Sequence, residues 1–291
     1  MTDAAAASVA ATAPESGPEE ILEVKSVYKH FGGIRAVNGA SFSVPRGSIT
    51  ALIGPNGAGK TTLFNIITGF YKGDAGEILY EGRSIFGVRP YRIAEHGMVR
   101  TFQITKALAA MPVIDNMMLA APQQPGENLV GLITRRRANS RREAEVSEHA
   151  IELLERFNLA AKKDDYAGTL SGGQRKLLEL ARALMAQPRT LLLDEPMAGI
   201  NPTLGRRLLD HMHDLRDNQG VTFVFIEHDM DVVMKHSDEV VVMAQGETIV
   251  KGPPEVIRSD QRVIDAYLGG GSSRDEPGPE ARRAPDVEEG P

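Results

Sequence analysis

The sequence of 291 residues contains no cysteine and no tryptophan, and aromatic residues make up only 5% of it. The absence of cysteine excludes disulfide bonds and thiolate metal sites. No apolar run approaches the roughly 18–20 residues that a membrane-spanning helix needs. The stretch 1–18 lacks the basic start and apolar core of a signal peptide. We therefore expect a soluble chain that reaches any membrane only through a partner.

The remaining composition is typical of a globular protein, with 42% apolar and 25% charged residues. The net charge of −6 argues against a nucleic-acid-binding protein. Arginines at 135–137 and 141–142 form a basic cluster, but no aromatic residues are interleaved for base stacking. We interpret the cluster as a solvated helix face, with proximity to acidic lipid headgroups as the alternative.

Both ends of the chain are rich in Ala, Ser, Pro, Gly and Glu. Such segments bury too little apolar surface to offset the entropy lost on ordering. We predict a disordered N-terminal tail over residues 1–20 and a disordered acidic C-terminal tail over 269–291. The folded domain would then span residues 21–268.

Short apolar runs alternate with helical patterns, which predicts an α/β fold. The runs 49–53, 190–193 and 221–226 are almost wholly apolar, as in parallel strands that are covered on both faces. Alternating residues at 40–44 and 77–80 predict a smaller antiparallel sheet near the N-terminus, and 239–243 with 247–251 predicts a hairpin. From 114 to 159 helix formers dominate, which predicts a helical subdomain, about residues 104–185, inserted into the core.

The segment 54–61 fits the pattern G-x-x-x-x-G-K-[ST], between a predicted strand and a predicted helix. Glycines let several backbone N–H groups point at an anion, and the helix start adds its partial positive charge. Lys60 would neutralise the β- and γ-phosphates, and the Thr61 hydroxyl would hold Mg²⁺. The predicted nucleotide-binding residues here are Gly54, Pro55, Asn56, Gly57, Ala58, Gly59, Lys60, Thr61 and Thr62.

Two carboxylates follow the apolar run 191–193. Asp194 and Glu195 would lie at the carboxyl edge of the sheet, where α/β proteins bind ligands. Asp194 can hold Mg²⁺ directly or through water, and Glu195 can polarise the water that attacks the γ-phosphate. A phosphate loop alone is shared by kinases, GTPases and motors, whereas this pair favours hydrolysis.

His228 follows another apolar run and would reach the same edge of the sheet. A lone histidine is often structural, but this one comes directly after a core strand in a chain with a phosphate loop. We predict that it contacts the γ-phosphate and the attacking water. The predicted catalytic residues are therefore Lys60, Glu195 and His228.

With the segment Leu170-Ser171-Gly172-Gly173-Gln174, these motifs resemble the ATP-binding-cassette (ABC) family over nearly all of residues 21–268. Ser171 and the two glycines form a second anion-binding helix start. The resemblance implies a P-loop NTPase (RecA-like) core, ATP and Mg²⁺ as cofactors, and a head-to-tail dimer. In such a dimer Ser171, Gly172, Gly173 and Gln174 contact the ATP that the other subunit holds.

The resemblance assigns further roles residue by residue. Phe31 is similar to the aromatic residue that stacks on adenine, with a core position on an early strand as the alternative. Gln103 matches the glutamine that reaches Mg²⁺ and links the core to the helical subdomain. Asn201 stands where many family members have aspartate, so a role that depends on charge is in doubt there. The predicted metal ligands are Thr61, Gln103 and Asp194.

Within the family, the stretches 100–103, 198–202, 226–234 and 252–268 most resemble the ATPases of branched-chain amino acid importers. This implies a homodimer or heterodimer with a second ABC ATPase, integral membrane permease subunits, and a substrate-binding protein. The chain would work at the cytoplasmic face of the membrane. Urea and lipopolysaccharide remain alternative cargoes. A soluble ABC ATPase that acts on ribosomes or DNA is the other alternative.

Overall fold

The computed structural model describes residues 19–101, 106–122 and 136–268. Glu20 is already the first residue of a strand, and the Glu19 carbonyl accepts a hydrogen bond from Arg46 N at 2.8 Å. Residue 20, predicted as the last residue of the N-terminal tail, therefore belongs to the first strand. The rest of that tail, and the predicted C-terminal tail 269–291, lie outside the described residues.

Within the described ranges the chain forms two β-sheets with helices around them. The strands are β1 (Glu20–Phe31), β2 (Ile34–Pro45), β3 (Ile49–Ile53), β4 (Ala75–Tyr80), β5 (Arg83–Ser84), β6 (Met98–Arg100), β7 (Thr190–Asp194), β8 (Thr222–Ile226), β9 (Glu239–Ala244) and β10 (Glu247–Gly252). The α-helices are α1 (Lys60–Ile67), α2 (Pro90–Glu95), α3 (Lys106–Ala109), α4 (Val113–Leu119), α5 (Arg136–Arg156), α6 (Gly172–Leu184), α7 (Pro202–Gln219), α8 (Met230–His236), α9 (Pro254–Ser259) and α10 (Gln261–Leu268).

The larger sheet has the strand order β10-β9-β3-β8-β7-β6. Neighbours from β9 to β6 are parallel, and β10 closes the sheet as the antiparallel arm of a hairpin with β9. Every residue of β3 and β8 is buried. Ile49, Ala51 and Ile53 pack into one hydrophobic cluster while Leu52 packs into the other. The predicted parallel sheet, covered on both faces, is confirmed.

The smaller sheet has the order β2-β1-β4-β5, and its described pairs are antiparallel, as the sequence predicts. Leu22 and Val24 of β1 belong to the same hydrophobic cluster as Leu63 and Phe64 of α1. The antiparallel sheet and the face of the core that carries α1 therefore share one apolar interior.

Helices α3 to α6 lie between β6 and β7 in the chain and form the predicted helical insert. Its apolar side chains are continuous with the core, since Leu154 and Leu177 share a cluster with Leu193 of β7. At the end of α5, the Phe157 ring lies 4.4 Å from the ring of His211 on α7. Burial lowers the pKa of His211, so the ring packs as a neutral group near pH 7. The bounds of about 104–185 stay a prediction, since both 102–105 and 123–135 are outside the described ranges.

No helix in the described part of the chain is both long and apolar enough to cross a membrane.

The two sheets are also joined by one buried hydrogen bond. Tyr80 of β4 is 1% exposed, and its hydroxyl donates to the Thr190 hydroxyl of β7 at 3.1 Å. Burial raises the pKa of Tyr80, so the phenol stays protonated and able to donate.

We predict that Tyr80→Phe lowers the free energy of unfolding by about 1–3 kcal/mol, because the change leaves a buried polar partner at Thr190 less well satisfied. The measurement is chemical denaturation followed by circular dichroism. Tyr91→Phe is the matched control, since Tyr91 is 53% exposed, and it should change stability by less than about 0.5 kcal/mol. Equal effects of the two changes would contradict the role of the buried bond.

Candidate functional site

The loop between β3 and α1 curls tightly against the rest of the chain at two glycines. Gly54 has φ +146°, and a Cβ there would lie 2.0 Å from the Met243 carbonyl oxygen. Gly59 has φ +97°, and a Cβ there would lie 2.2 Å from the Ala36 carbonyl oxygen. Other residue types are excluded at both positions by backbone conformation and by space. The loop is therefore held by β9 on one side and β2 on the other.

The other residues of the loop lie where an anion can reach them. Asn56 and Gly57 are exposed, and Pro55 is half-buried. Ala58 is buried, and its carbonyl accepts a hydrogen bond from Gly246 N at 3.1 Å. Lys60 begins α1, so the loop leads directly into a helix start with unpaired backbone donors. Exposed Thr61 and half-buried Thr62 follow on that helix.

The Lys60 side chain bends back over this loop. It is 6% exposed, and Nζ donates to the carbonyl oxygens of Gly54 at 2.7 Å and Pro55 at 3.0 Å. Burial lowers the pKa of Lys60, and the carboxylates of Glu195 and Asp194 oppose that change. The ammonium group is therefore electrostatically coupled to both carboxylates that the sequence predicts for the site.

The ends of β7 and β8 bring the predicted acidic and imidazole groups together. Glu195 N donates to the Ile226 carbonyl at 3.0 Å, which ties the two strand ends to each other. His228 Nε2 lies 2.9 Å from Glu195 Oε1. Glu195 also has φ +48°, a conformation that is uncommon for residues other than glycine. The predicted neighbourhood of Glu195 and His228 at the sheet edge is thus present in the structure.

Glu227, which is not among the residues predicted for the site, holds this pair of strand ends in place. The side chain is 5% exposed and accepts hydrogen bonds from Met197 N at 2.8 Å and from His228 N at 3.1 Å. It therefore fixes the backbone that follows Glu195 and the backbone that carries His228. An acidic residue directly after five buried strand residues was the signal available in the sequence.

Arg100, at the end of β6, is a second residue of the site that was not predicted from the sequence. Its Nη2 donates to Asp194 Oδ2 at 2.7 Å, and its Nη1 donates to Asn65 Oδ1 at 2.6 Å. The side chain is 9% exposed, against 26% for Asp194. The carboxylate predicted to hold Mg²⁺ therefore carries a guanidinium partner in this structure.

These groups line a cleft of about 460 Å³. The cleft is polar and rich in both signs of charge. Its lining residues are Thr61, Arg100, Thr101, Lys176, Glu179, Asp194, Glu195 and Ala198.

A divalent cation fits this donor set. The Thr61 hydroxyl and the Asp194 carboxylate supply oxygen atoms, which Mg²⁺ prefers, and Asp194 already has a cationic partner. Within the described residues there is no group of three or more His, Cys, Asp or Glu side chains arranged to hold a metal. A cation here would therefore complete its shell with phosphate oxygens and water, as Mg²⁺ usually does. Gln103, the third predicted metal ligand, lies outside the described residues.

The second predicted anion-binding helix start belongs to α6, whose Lys176 and Glu179 line this cleft. Ser171 caps α6: its Oγ accepts from Gln174 N at 3.3 Å, and Gln174 Oε1 accepts from Ser171 N at 2.9 Å. Gly172 and Gly173 form the first turn. Ser171 is exposed, and none of residues 171–174 is among the described residues that line the cleft. One chain therefore presents two glycine-rich helix starts, one after Gly59 and one after Ser171.

Phe31 ends β1 and is 44% exposed, so it is not a core residue. Its ring meets the Tyr71 ring edge-on at 5.6 Å between centroids, and Lys29 Nζ lies 5.2 Å from the Phe31 centroid. β1 leads straight into β2, whose Ala36 carbonyl packs against Gly59. An exposed aromatic face thus lies at the end of the hairpin that borders the phosphate loop.

Asn201 begins α7 as a helix cap, with its Oδ1 accepting from Leu204 N at 2.9 Å. Asparagine caps helices about as well as aspartate, so the capping role does not require an aspartate at this position. At the other end of the chain, Tyr267 is 40% exposed, but partial desolvation still raises its pKa, and a hydrogen bond from the Gly54 backbone opposes that change. Tyr267 of α10 therefore lies beside the start of the phosphate loop, which the sequence did not predict.

Comparison with protein families gives two matches. The family described as ABC transporter matches residues 37–198, a range that contains the phosphate loop, Ser171 to Gln174, and both Asp194 and Glu195. The family described as branched-chain amino acid ATP-binding cassette transporter matches residues 247–272, which include β10, α9 and α10.

Curated relatives extend this likeness over most of the chain. The probable branched-chain amino acid transport ATP-binding protein LivG of Archaeoglobus fulgidus is 40% identical over 259 residues, which cover 89% of this chain and 99% of the relative. The high-affinity branched-chain amino acid transport ATP-binding protein BraF of Pseudomonas aeruginosa is 43% identical over 249 residues, which cover 86% and 98%. The predicted resemblance to this subfamily is confirmed.

Solved structures give the same result. A nucleotide-free ATP-binding cassette from an ABC transporter matches with a TM-score of 0.75 and 38% identity, covering 86% of this chain and 99% of that one. An ATP-binding cassette in its ADP conformation matches with a TM-score of 0.75 and 37% identity, with the same coverage. This chain therefore belongs to the ABC transporter family, as one of its ATP-binding cassettes.

Proposed function

We propose that this chain is the ATP-hydrolysing subunit of a membrane transporter that imports branched-chain amino acids. The ATPase role is supported by one group of side chains at the edge of the larger sheet. Thr61, Asp194 and Glu195 line a single cleft, and His228 Nε2 lies 2.9 Å from Glu195 Oε1. The relatives' printed names support the cargo.

Nucleotide binding would begin at the loop 54–61. The start of α1 offers backbone donors to the phosphates, and Phe31 offers an exposed ring to the adenine. Lys60 Nζ now donates to two backbone carbonyls. Charged phosphate oxygens are stronger acceptors, so the ammonium group would exchange those carbonyls for the β- and γ-phosphates.

Thr61 and Asp194 would hold Mg²⁺, with Gln103 as a further ligand by resemblance. The bound metal would neutralise charge that develops on the phosphates. Glu195 would orient a water molecule and accept its proton as the water oxygen bonds to the γ-phosphorus. The bond from that phosphorus to the bridging oxygen breaks, and ADP and phosphate leave. His228 would keep Glu195 in place and contact the γ-phosphate.

We predict that Glu195→Gln lowers the rate of ATP hydrolysis at least about a hundredfold, because the amide cannot accept the proton from water. Nucleotide binding should be retained, since the phosphate loop and Asp194 are unchanged. The measurements are phosphate release at saturating MgATP and equilibrium binding of a fluorescent ATP analogue. Glu255→Gln, an exposed position on α9, is the control and should hydrolyse ATP like the unchanged chain. Normal turnover in Glu195→Gln would refute the assigned role.

We further infer that two cassettes pair head to tail, so that Ser171 to Gln174 of one contact the γ-phosphate bound by the other. Ser171 is exposed and is not among the described residues that line the cleft with Thr61, so a second chain can approach it. A helix start that opens with serine and two glycines suits a phosphate oxygen.

A complementation experiment tests the pairing. Lys60→Ala and Ser171→Glu should each abolish hydrolysis in a homodimer, because each damages both sites. Each proposed site uses Lys60 of one chain and Ser171 of the other. In a dimer of one Lys60→Ala chain and one Ser171→Glu chain, one site therefore carries both changes and the other site carries neither. Mixing the two variants should thus restore ATPase activity. The measurement is the hydrolysis rate of the two variants, separate and mixed. No recovery in a mixture shown to contain mixed dimers would contradict the shared homodimeric site.

Membrane permease subunits are the proposed partners, since the relatives are named as the ATP-binding proteins of transport systems. The chain would bind them at the cytoplasmic face of the membrane, and a substrate-binding protein would complete the importer. The match over residues 247–272 to the branched-chain amino acid cassettes is the observation that favours this cargo over urea or lipopolysaccharide.

We predict that cells lacking this chain lose uptake of labelled leucine, isoleucine and valine, and that Glu195→Gln does not restore it, because import needs hydrolysis. Urea uptake in the same cells is the control and should not change. Loss of urea uptake with normal leucine uptake would reassign the cargo. Co-purification with ribosomal proteins or DNA, and with no permease, would point to a soluble ABC ATPase.

A further inference from the structure

The Asp194 carboxylate has a cationic partner within the chain itself. Arg100 reaches it from the neighbouring strand, with Nη2 2.7 Å from Oδ2. The same guanidinium donates to Asn65 on α1, the helix that begins with Lys60. Arg100 therefore connects the carboxylate that would hold Mg²⁺ to the helix that would hold the phosphates.

Other carboxylates that line the cleft also have side-chain partners. Glu179 Oε2 lies 3.7 Å from Lys176 Nζ, and Glu195 Oε1 lies 2.9 Å from His228 Nε2. Arg100 is the side-chain partner of Asp194. The Arg100 side chain is 9% exposed and that of Asp194 is 26% exposed, so water screens this pair less than a surface pair. Without Arg100 the half-buried carboxylate would lose the neutralising charge on its Oδ2 side.

A guanidinium and a divalent cation at one carboxylate repel each other, and they compete for the same lone pairs. We propose that Arg100 is a built-in counter-cation for Asp194, which it neutralises before nucleotide binds and releases when Mg²⁺ arrives with the nucleotide. Arg100 is thus a positioning residue that sets the metal requirement of nucleotide binding. The inference rests on the proposed nucleotide site and adds a role for Arg100, a residue of the cleft lining that has no part in the proposed hydrolysis.

Arg100 is the last residue of β6, and the helical insert follows it in the chain. Thr101 N donates to the Leu192 carbonyl at 3.0 Å and lines the cleft beside Arg100. Gln103 is three residues beyond Arg100 in the sequence. Exchange of Arg100 for a metal at Asp194 therefore happens at the junction where the core sheet passes into the helical insert.

The test is the Mg²⁺ dependence of ADP binding by the full chain, measured by isothermal titration calorimetry from EDTA to millimolar Mg²⁺. Mg²⁺ should increase the affinity for ADP, and the quantity of interest is the Mg²⁺ concentration that gives half of this increase. We expect this concentration to be about tenfold lower in Arg100→Met, because the cation that competes with Mg²⁺ is absent. Binding of metal-free ADP should weaken in the same variant, because a positive charge near the phosphates is lost. Arg100→Lys keeps the charge and should change both quantities less.

Arg100→Gln separates charge from orientation, because the amide can still donate a hydrogen bond to Asp194. It should shift the Mg²⁺ requirement in the same direction as Arg100→Met. Arg189→Met is the matched control: it removes an arginine whose Nη2 lies 2.8 Å from Glu81 Oε2, away from the cleft. It should leave the Mg²⁺ requirement unchanged. Thermal unfolding of each variant shows whether it is folded.

Two results would overturn the inference. If Arg100→Met needs more Mg²⁺ than the unchanged chain, Arg100 only orients Asp194 for the metal. If Arg100→Met weakens metal-free and Mg²⁺-bound ADP equally, Arg100 is a structural residue. Failure of the unchanged chain to bind ADP at all would instead refute the proposed nucleotide site, so the two failures are distinguishable.

Discussion

The parallel pairing of β3, β8 and β7 is the constraint on which the site depends. Parallel strands end at one edge of a sheet, so the phosphate loop after β3 and the polar residues after β7 and β8 are brought together by strand direction alone. The register must also hold, because a slip by one residue turns every side chain to the other face. A slip of β7 would direct Asp194 into one of the apolar clusters. Burial of both faces makes such a slip costly.

The charged groups at this edge each have a partner within the chain. Lys60 is satisfied by carbonyl oxygens of its own loop, Asp194 by Arg100, and Glu195 by His228. Each of these partners can be exchanged for a phosphate oxygen, a cation or a water molecule. A buried charge without a partner costs several kcal/mol, so temporary partners of this kind keep a charged site compatible with a stable fold.

The sequence predicts those parts of the site that are local in the chain. The loop 54–61 needs only a strand, its glycines and a helix start, and Asp194 and Glu195 follow their strand directly. Contacts between distant segments could not be predicted in this way. Arg100 meets Asp194 across 94 positions, and Tyr80 meets Thr190 across 110. Such pairs depend on strand order and register, and neither can be predicted from the hydrophobic pattern of the sequence.

The two helix starts that can bind an anion are built differently. The start at α1 is fixed by close packing of Gly54 and Gly59 against neighbouring backbone, so its geometry is present before an anion arrives. At the start of α6 Ser171 is exposed and Gly173 is buried against Leu204, and Ser171 and Gln174 satisfy each other's backbone donors. An anion there must use the remaining N–H groups of the first turn or displace the Gln174 side chain. In the proposed function, the first start would bind the phosphates of its own chain's nucleotide, and the second would bind the γ-phosphate held by a partner cassette. Nucleotide binding and the pairing of two cassettes would then use different helix starts.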